Sequence, residues 1–224
     1  MIRVNDHILF QGDSITNAFR KPEELCNAYQ LGSGYAMIVA SQLLARRPKD
    51  NLRFTNRGVS GEGVAGLQQR WQVDCLDLQP DILSILVGIN DAGPTKSCPH
   101  TSLEEYEQRY RALLARTRTM LPSVRLVLCE PFALHVGSVN DRILNDVVAR
   151  GAIVRKLAAE TSAVLVPLQT VFADALKLAP AEFWSFDGIH PNAQGHWLIA
   201  EAWLQAVTSV RRRADGNPSS GGEA

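Results

Sequence analysis

Near the end of the chain, residues 186–192 read Phe-Asp-Gly-Ile-His-Pro-Asn and contain two side chains that could act together. Asp187 and His190 lie three residues apart in a turn with glycine and proline, so both can reach one cleft. Pro191 disfavours helical backbone at His190 and therefore places the histidine ahead of the next helix. A histidine oriented by a carboxylate can serve as a general base. So short a pattern is also typical of a surface turn, and its chemistry depends on a partner elsewhere.

A candidate for that partner is Ser14, in the segment Gly-Asp-Ser at residues 12–14. The segment follows an apolar run at residues 8–10, which predicts a strand that ends where Ser14 begins a turn or helix. Backbone N–H groups at such a point are unpaired and can stabilise an oxyanion. Serine is also a common helix N-cap. Because an acylating serine needs a base and the base needs an orienting carboxylate, Ser14, His190 and Asp187 together predict acyl transfer by nucleophilic catalysis.

Two further loops carry groups suited to binding negative charge. Residues 56–63 read Asn-Arg-Gly-Val-Ser-Gly-Glu-Gly, and their glycines let the backbone approach a ligand closely. Residues 87–91 read Val-Gly-Ile-Asn-Asp, where the Asn90 side-chain amide can donate to a developing oxyanion. The ordinary interpretations are a flexible strand-to-helix turn and an Asn-Asp turn with local backbone hydrogen bonds.

Three of these four segments follow short apolar runs, which predict strands buried on both faces of a parallel sheet. The predicted strands are at residues 8–10, 52–56, 82–87, 126–129 and 164–166. The predicted helices are at residues 35–46, 64–78, 103–121, 140–160 and 192–210. Their alternation predicts one α/β domain over residues 1–210, a three-layer α/β/α sandwich with a doubly wound, flavodoxin-like sheet of five parallel strands. Ligands bind at the carboxyl ends of such strands, where these loops lie.

Residues 211–224 start with three arginines and continue with a composition rich in Gly, Ser and Pro. This composition predicts a disordered tail, with the arginines forming a solvated helix end.

The four segments, in this order and at this spacing, resemble the SGNH hydrolase superfamily, also called GDSL-like esterases. The resemblance runs from Phe10 to about Trp203, with Ile15 in the place where the family name has leucine. The resemblance implies a nucleophile, a base with its orienting carboxylate, and three oxyanion donors. Ser14 would be the nucleophile, His190 the base and Asp187 its orienting carboxylate. The oxyanion donors would be the Ser14 N–H, the Gly61 N–H and the Asn90 side-chain amide.

Finer details are similar to intracellular acetylxylan esterases and related carbohydrate deacetylases. They are Gly34-Tyr35, Arg70-Trp71, residues 88–91, and residues 187–191 leading to Gly195-His196. This similarity implies an acetylated sugar as substrate and association into homo-oligomers. Ala92-Gly93 stands where such relatives often carry a bulky residue, which leaves the pocket shape open. Four side chains are expected near the substrate, with core packing as their alternative: Asp13, Tyr35, Trp71 and Trp184.

Other readings of the motifs stay open at this point. Residues 61–66 match the dinucleotide-binding pattern G-x-G-x-x-G, but they follow the second predicted strand and leave Ser14 unexplained. The G-x-S-x-G elbow of α/β-hydrolases and the H-E-x-x-H pattern of zinc enzymes are both absent from the sequence. A non-catalytic carbohydrate-binding protein would be expected to lack one of Ser14, Asp187 and His190. A lysophospholipase, an aryl esterase and a thioesterase would each fit the same catalytic residues.

Composition restricts the partners. Lys+Arg and Asp+Glu both number 23, so the formal net charge is zero and offers no electrostatic basis for binding nucleic acid or an anionic membrane. No apolar stretch approaches the roughly 20 residues of a membrane helix, and no signal-peptide core is evident. The 4 cysteines lie far apart, and Cys75 and Cys129 are expected to be small buried hydrophobes. These features predict a cytoplasmic protein that binds neither nucleic acid nor a membrane. The resemblance implies a small-molecule substrate and no cofactor, and the histidine spacing favours no metal.

Overall fold

A computed structural model describes residues 1–23, 27–93 and 98–214 of the chain. Its strands form one parallel sheet in the order β2-β1-β3-β4-β5. This is the flavodoxin-like strand order, so the predicted fold is confirmed. The strands are β1 (His7–Gly12), β2 (Arg53–Asn56), β3 (Ile82–Leu86), β4 (Arg125–Cys129) and β5 (Val164–Val166).

Helices cover both faces of the sheet and connect its parallel strands. They are α1 (Ser14–Asn17), α2 (Asn27–Leu31), α3 (Tyr35–Arg46), α4 (Val64–Trp71), α5 (Ile89–Ala92), α6 (Leu103–Met120), α7 (Asp141–Glu160), α8 (Leu168–Ala175), α9 (Ala181–Trp184) and α10 (Ala193–Ala214). Side-chain caps fix the starts of the two long helices α6 and α7. The Ser102 hydroxyl accepts from the Glu105 N–H, and the Asn140 side chain accepts from the Ile143 N–H.

Two apolar cores flank the sheet. β1 and β3 are buried along their whole length, and their alternating side chains feed both cores. On one side, Phe10 packs against Tyr35 of α3 and Trp203 of α10. On the other side, helices α4, α6 and α7 pack over Leu9 and its neighbours on β3 and β4. Because both faces are covered, the carboxyl edge of the sheet is left as the place where loops can build a site.

The helix predicted at residues 64–78 differs from the structure in its second half. α4 ends at Trp71 and continues as a π-helical turn at Gln72–Leu76. The buried Gln11 side chain donates to the Asp74 carbonyl at 2.6 Å, so this carbonyl has a partner outside the helical ladder. Insertion of a side chain into the ladder is a recognised cause of such irregularity.

The domain extends slightly farther than predicted. α10 runs to Ala214, so residues 211–214 continue the helix and are not part of a disordered tail. The remainder of that predicted tail lies outside the described residues. Among the described residues, no helix combines the length and apolar character needed to span a bilayer. Cys75 and Cys129 are buried free thiols, as predicted, and Cys26 lies outside the described residues.

Trp71 provides a test of the core beneath α4 and α6. Its indole is buried, and its Nε1–H donates to the Thr117 hydroxyl at 3.0 Å. Trp71→Phe should lower the free energy of unfolding by about 1–3 kcal/mol, because it leaves a void and removes the hydroxyl's donor. Trp197→Phe, at a half-exposed ring on α10, should change it by less than about 0.5 kcal/mol. Urea unfolding of both variants makes the comparison, and equal losses would contradict this account of Trp71.

Candidate active site

Ser14, His190 and Asp187 form one hydrogen-bonded series at the carboxyl edge of the sheet. Ser14 is the first residue of α1, directly after β1, and its Oγ lies 2.8 Å from His190 Nε2. His190 Nδ1 lies 2.7 Å from Asp187 Oδ2. Both Ser14 and the imidazole are partly exposed, so a ligand can reach them. A base within this distance of a hydroxyl, and itself oriented by a carboxylate, can activate that hydroxyl for nucleophilic attack.

The turn between Asp187 and His190 is built so that both side chains face the serine. Asp187 Oδ1 accepts from the Ile189 N–H at 2.9 Å and from the His190 N–H at 2.7 Å. Gly188 has φ +86°, a left-handed conformation that suits glycine. Burial raises the pKa of Asp187, but its hydrogen bonds to the His190 side chain and to these N–H groups outweigh burial and lower it. The carboxylate therefore stays ionised beside the imidazole.

The segment after β4 supports this turn from behind. The backbone N–H and the hydroxyl of Ser138 both donate to the Asp187 carbonyl, each at 3.1 Å. Gly137 packs so closely that a Cβ there would lie 2.7 Å from Asp187 Cα. The Leu134 N–H donates to the Gly188 carbonyl at 2.9 Å. Contacts to its backbone thus fix the position of the turn.

Asp13 holds the start of α1. Its Oδ1 accepts from the Ile15 N–H at 3.0 Å, and the carboxyl is fully buried. Burial raises the pKa of Asp13 to about 7, the Ile15 N–H acting against the rise. The buried side chain thus serves here as the cap of α1, and a contact between Asp13 and a substrate stays a prediction from the sequence.

The loop at residues 56–63 lies against the start of α1. Asn56 Oδ1 accepts from the Gly58 N–H at 2.9 Å, and the Val59 N–H donates to the Gly12 carbonyl at 3.0 Å. A Cβ at Gly58 would come within 2.4 Å of the Asn17 backbone N, which explains glycine at this point. Gly61 has φ +81°. Close backbone contact thus brings the loop beside the serine.

Arg70 of α4 joins this loop to the end of β1. Its Nε lies 2.6 Å from Glu62 Oε2, and its Nη1 donates to the Arg57 carbonyl at 2.7 Å and to Gln11 Oε1 at 2.9 Å. Nη2 donates to the Gly12 carbonyl at 3.3 Å. Sequence reasoning used Arg70 only as a point of resemblance, and its bracing role depends on contacts that the sequence does not display.

Asn90 reaches the same loop from the next strand. It lies in α5 after β3, is 8% exposed, and its Nδ2 donates to the Glu62 carbonyl at 2.9 Å. A primary amide has two N–H donors, so this bond orients the group and leaves the second donor for another acceptor. The structure therefore brings the Asn90 amide and the Gly61–Glu62 backbone together. An amide held in this way is suited to stabilising an oxyanion.

The aromatic side chains expected near the substrate are in the interior. Tyr35 is fully buried with its hydroxyl 3.0 Å from Thr16 Oγ1, and Trp71 is buried against Thr117 in the other core. Trp184 is 9% exposed, and its Nε1–H donates to the Ala179 carbonyl at 3.2 Å. Each ring packs in the interior and its polar atom has an internal partner, as the core-packing alternative predicts. Contact of these three side chains with a substrate stays a prediction from the sequence.

Phe186 is an aromatic residue at the site that sequence reasoning missed. Its ring is 64% exposed and nearly parallel to the His190 imidazole, with centroids 6.0 Å apart and an interplanar angle of 16°. Its position immediately before Asp187 is the one feature of the sequence that could have indicated a place at the site. Exposure cannot be read from sequence position, and the sequence analysis named the nearby Trp184 in place of Phe186.

His196 lies beneath the site on α10. Its Nδ1 accepts from the Tyr35 N–H at 3.3 Å. Burial, together with the neighbouring His190, lowers the pKa of His196 to about 4. His196 is therefore neutral at neutral pH and adds no positive charge beneath the imidazole. Within residues 1–23, 27–93 and 98–214, no group of three or more His, Cys, Asp or Glu side chains could hold a metal ion.

The flavodoxin-like sheet, with these motif segments at its carboxyl edge, defines an α/β hydrolase of the SGNH type. Residues 10–198 match the model of the GDSL-like Lipase/Acylhydrolase family. The chain belongs to that family and is a carboxylic ester hydrolase.

Similarity to known proteins extends over nearly the whole chain. An acetylxylan esterase from Geobacillus stearothermophilus is 33% identical over 208 residues, 90% of this chain and 94% of that protein. Its solved structure has a TM-score of 0.83, covering 92% of this chain and 95% of the other at 32% identity. A protein from Parabacteroides merdae assigned to the GDSL-like lipases has a TM-score of 0.86 at 39% identity, covering 93% of this chain and 98% of the other.

His196 gives stability a defined dependence on pH. The pKa of His196 is about 4 in the native state and 6.5 in the unfolded chain, so the unfolded chain binds a proton at a pH where the native state does not. This proton uptake lowers the free energy of unfolding. The loss is absent above pH 6.5, grows as the pH falls and reaches about 3 kcal/mol near pH 4. His196→Asn keeps an acceptor for the Tyr35 N–H and should lose this dependence.

Denaturant unfolding of wild type and His196→Asn from pH 7.5 to 4 measures the difference directly. As the pH falls, the free energy of unfolding should decrease less in the variant than in wild type. Parallel curves would show that His196 is already protonated in the native state.

Proposed function

We propose that this esterase removes acetyl groups from carbohydrate esters through an acyl-enzyme on Ser14. The observation that carries the proposal is the series of hydrogen bonds from Ser14 Oγ through His190 to Asp187, at 2.8 and 2.7 Å. Two solved structures of the Geobacillus relative are catalytic mutants, one with a serine and one with an aspartate replaced by alanine. The same two residue types end this series.

In the first half of the reaction, His190 Nε2 takes the Ser14 proton while Oγ attacks the ester carbonyl carbon. The carbonyl oxygen becomes an oxyanion held by the Ser14 N–H, the Gly61 N–H and the second hydrogen of the Asn90 amide. Collapse breaks the bond to the sugar oxygen, and the imidazolium gives that oxygen its proton. The acyl group is then bonded to Oγ and the sugar leaves as an alcohol.

In the second half, water replaces the alcohol. His190 takes a proton from the water, the hydroxide oxygen attacks the acyl carbon, and the same donors hold the second oxyanion. Release of acetic acid returns the proton to Ser14 Oγ. The ionised Asp187 stabilises the imidazolium in both halves and keeps Nε2 pointed at the serine.

Three observations support a sugar as the alcohol part. The relative that matches 90% of this chain is an acetylxylan esterase. Ser14 and His190 lie at the open edge of the sheet, where a bulky leaving group can approach. Phe186 presents an exposed ring beside His190, and aromatic rings commonly line ligand sites. A cytoplasmic location and a homo-oligomer stay predictions from the sequence.

Replacement of the nucleophile is the direct test of the mechanism. Ser14→Ala should abolish covalent labelling by a fluorophosphonate and lower kcat by several orders of magnitude, because the attacking oxygen is gone. Ser41→Ala, at an exposed serine of α3, is the matched control and should keep both. Labelling that persists in Ser14→Ala would assign the nucleophile to another residue.

Phe186 tests the sugar part of the proposal. Phe186→Ala should raise KM for acetylated xylo-oligosaccharides about two- to tenfold, as the loss of about 0.5–1.5 kcal/mol of ring packing would. Its kcat for ethyl acetate, which has no sugar ring, should stay the same. Leu178→Ala, also at an exposed apolar residue, should change neither value.

The acyl part is tested with p-nitrophenyl esters of increasing chain length, measured beside acetylated xylose and cellobiose. Acetyl should be preferred. Preference for long acyl chains would reject the deacetylase and favour a lysophospholipase, while the role of Ser14 would stand.

A further inference from the structure

Arg150 is a fully buried charge that the proposed mechanism does not use. It projects from α7, and its side chain has no exposed surface. Its Nη2 donates to the Asp91 carbonyl at 3.0 Å and also to the Thr101 carbonyl, while its Nε lies 3.0 Å from Asp146 Oδ1. The guanidinium lies over the Tyr106 ring, 4.9 Å from its centroid. Burying an arginine is costly, so a side chain held by this many partners points to a specific use.

Asp91, which Arg150 contacts through its backbone, is also buried and connects two loops. Both of its carboxylate oxygens lie 3.2 Å from the Val64 N–H, the first of α4. A Cβ at Gly63 would come within 2.7 Å of Asp91 Oδ1, so the two segments touch. Burial raises the pKa of Asp91, and the Arg150 charge acts against that rise. The carboxylate thus anchors the end of the loop that carries Gly61.

Asn90 precedes Asp91 and joins the same two loops a second time. Its Nδ2 donates to the Glu62 carbonyl at 2.9 Å. Tyr106 supports the strand end in front of it, because its hydroxyl donates to the Val87 carbonyl at 2.9 Å. The Asn90 amide therefore lies between a loop held by Asp91 and a strand end held by Tyr106, and Arg150 contacts both of these supports.

We propose that Arg150 is a positioning residue for the oxyanion hole, and that its buried guanidinium acts through Asp91 to set the Asn90 amide and the Gly61 loop at their common site. The inference rests on the proposed function, since it assigns Asn90 to the oxyanion. Arginine suits the role because one nitrogen of its planar group, Nη2, donates to two carbonyls while Nε faces the Asp146 carboxylate as an ion pair. A displacement of about 1 Å at a reacting group can cost about 10²-fold in rate, which is the effect expected from losing such a support.

The test begins with Arg150→Met, which keeps the apolar stem and removes the guanidinium, and with the gentler Arg150→Lys. We expect kcat for p-nitrophenyl acetate to fall about ten- to a hundredfold in Arg150→Met, with KM within about twofold of wild type. Arg150→Lys keeps the positive charge but lacks the planar guanidinium, and it should fold even if the methionine variant does not. Its kcat should lie between the values of wild type and Arg150→Met.

Arg155→Met is the matched control for the loss of stability. Arg155 also projects from α7 and pairs with a buried carboxylate, that of Glu130, but it is partly exposed and lies outside the contacts of Asn90 and Asp91. Its loss should lower the melting temperature and leave kcat unchanged. A kcat loss in Arg155→Met equal to that in Arg150→Met would overturn the proposal, because kcat would then follow stability alone.

A double-mutant cycle with Asn90→Ala tests the route of the effect. If Arg150 acts through the amide, Arg150→Lys should lower kcat severalfold in wild type and by less than about twofold when Asn90 is already alanine. Equal losses in both backgrounds would overturn the proposed route. Activity that survives in Ser14→Ala would reject the proposed function, whereas an inactive Ser14→Ala with unchanged kcat in Arg150→Lys would reject only this inference.

Discussion

The hydrogen bond between Ser14 Oγ and His190 Nε2 joins residues 176 positions apart in the chain, and the rest of the structure serves to bring its two ends together. A contact of such separation has a large entropic cost unless rigid elements fix both ends. β1 carries Ser14 to the carboxyl edge of the sheet, and α10 starts just after His190. The two elements meet through Phe10 and Trp203 in one core. The fold is therefore the support on which this single bond depends.

Loops at the edge of a sheet leave backbone carbonyls that need partners when they are buried. This protein satisfies several of them with arginines. Arg70 donates to the carbonyls of Gly12, at the end of β1, and of Arg57, in the loop at residues 56–63. Arg150 donates to the carbonyls of residues 91 and 101. A guanidinium can donate to several such carbonyls at fixed angles. The buried arginines thereby fix the geometry of these loops.

Much of the fold followed from the sequence because its signals are local. Five apolar runs ended at a glycine or a proline, and all five became parallel strands in the predicted flavodoxin-like order. The π-helical turn after Trp71 was missed, since it depends on Gln11, which is distant in the chain. The last helix was predicted to end at residue 210, and α10 continues through the three arginines to Ala214. Their expected place at a helix end fits this, since basic residues are favourable in the last turns of a helix.

The sequence by itself determined which chemical groups the chain has: a serine, a histidine and an aspartate in motifs whose order implied an esterase. Only the tertiary structure decided which side chains are exposed beside His190. Tyr35, Trp71 and Trp184 were as eligible as Phe186 by residue type, but burial assigned the first three to the interior and left Phe186 beside His190. The reason is physical. Exposure and hydrogen-bond partners depend on which distant elements pack over a residue, and residue type alone does not carry that information.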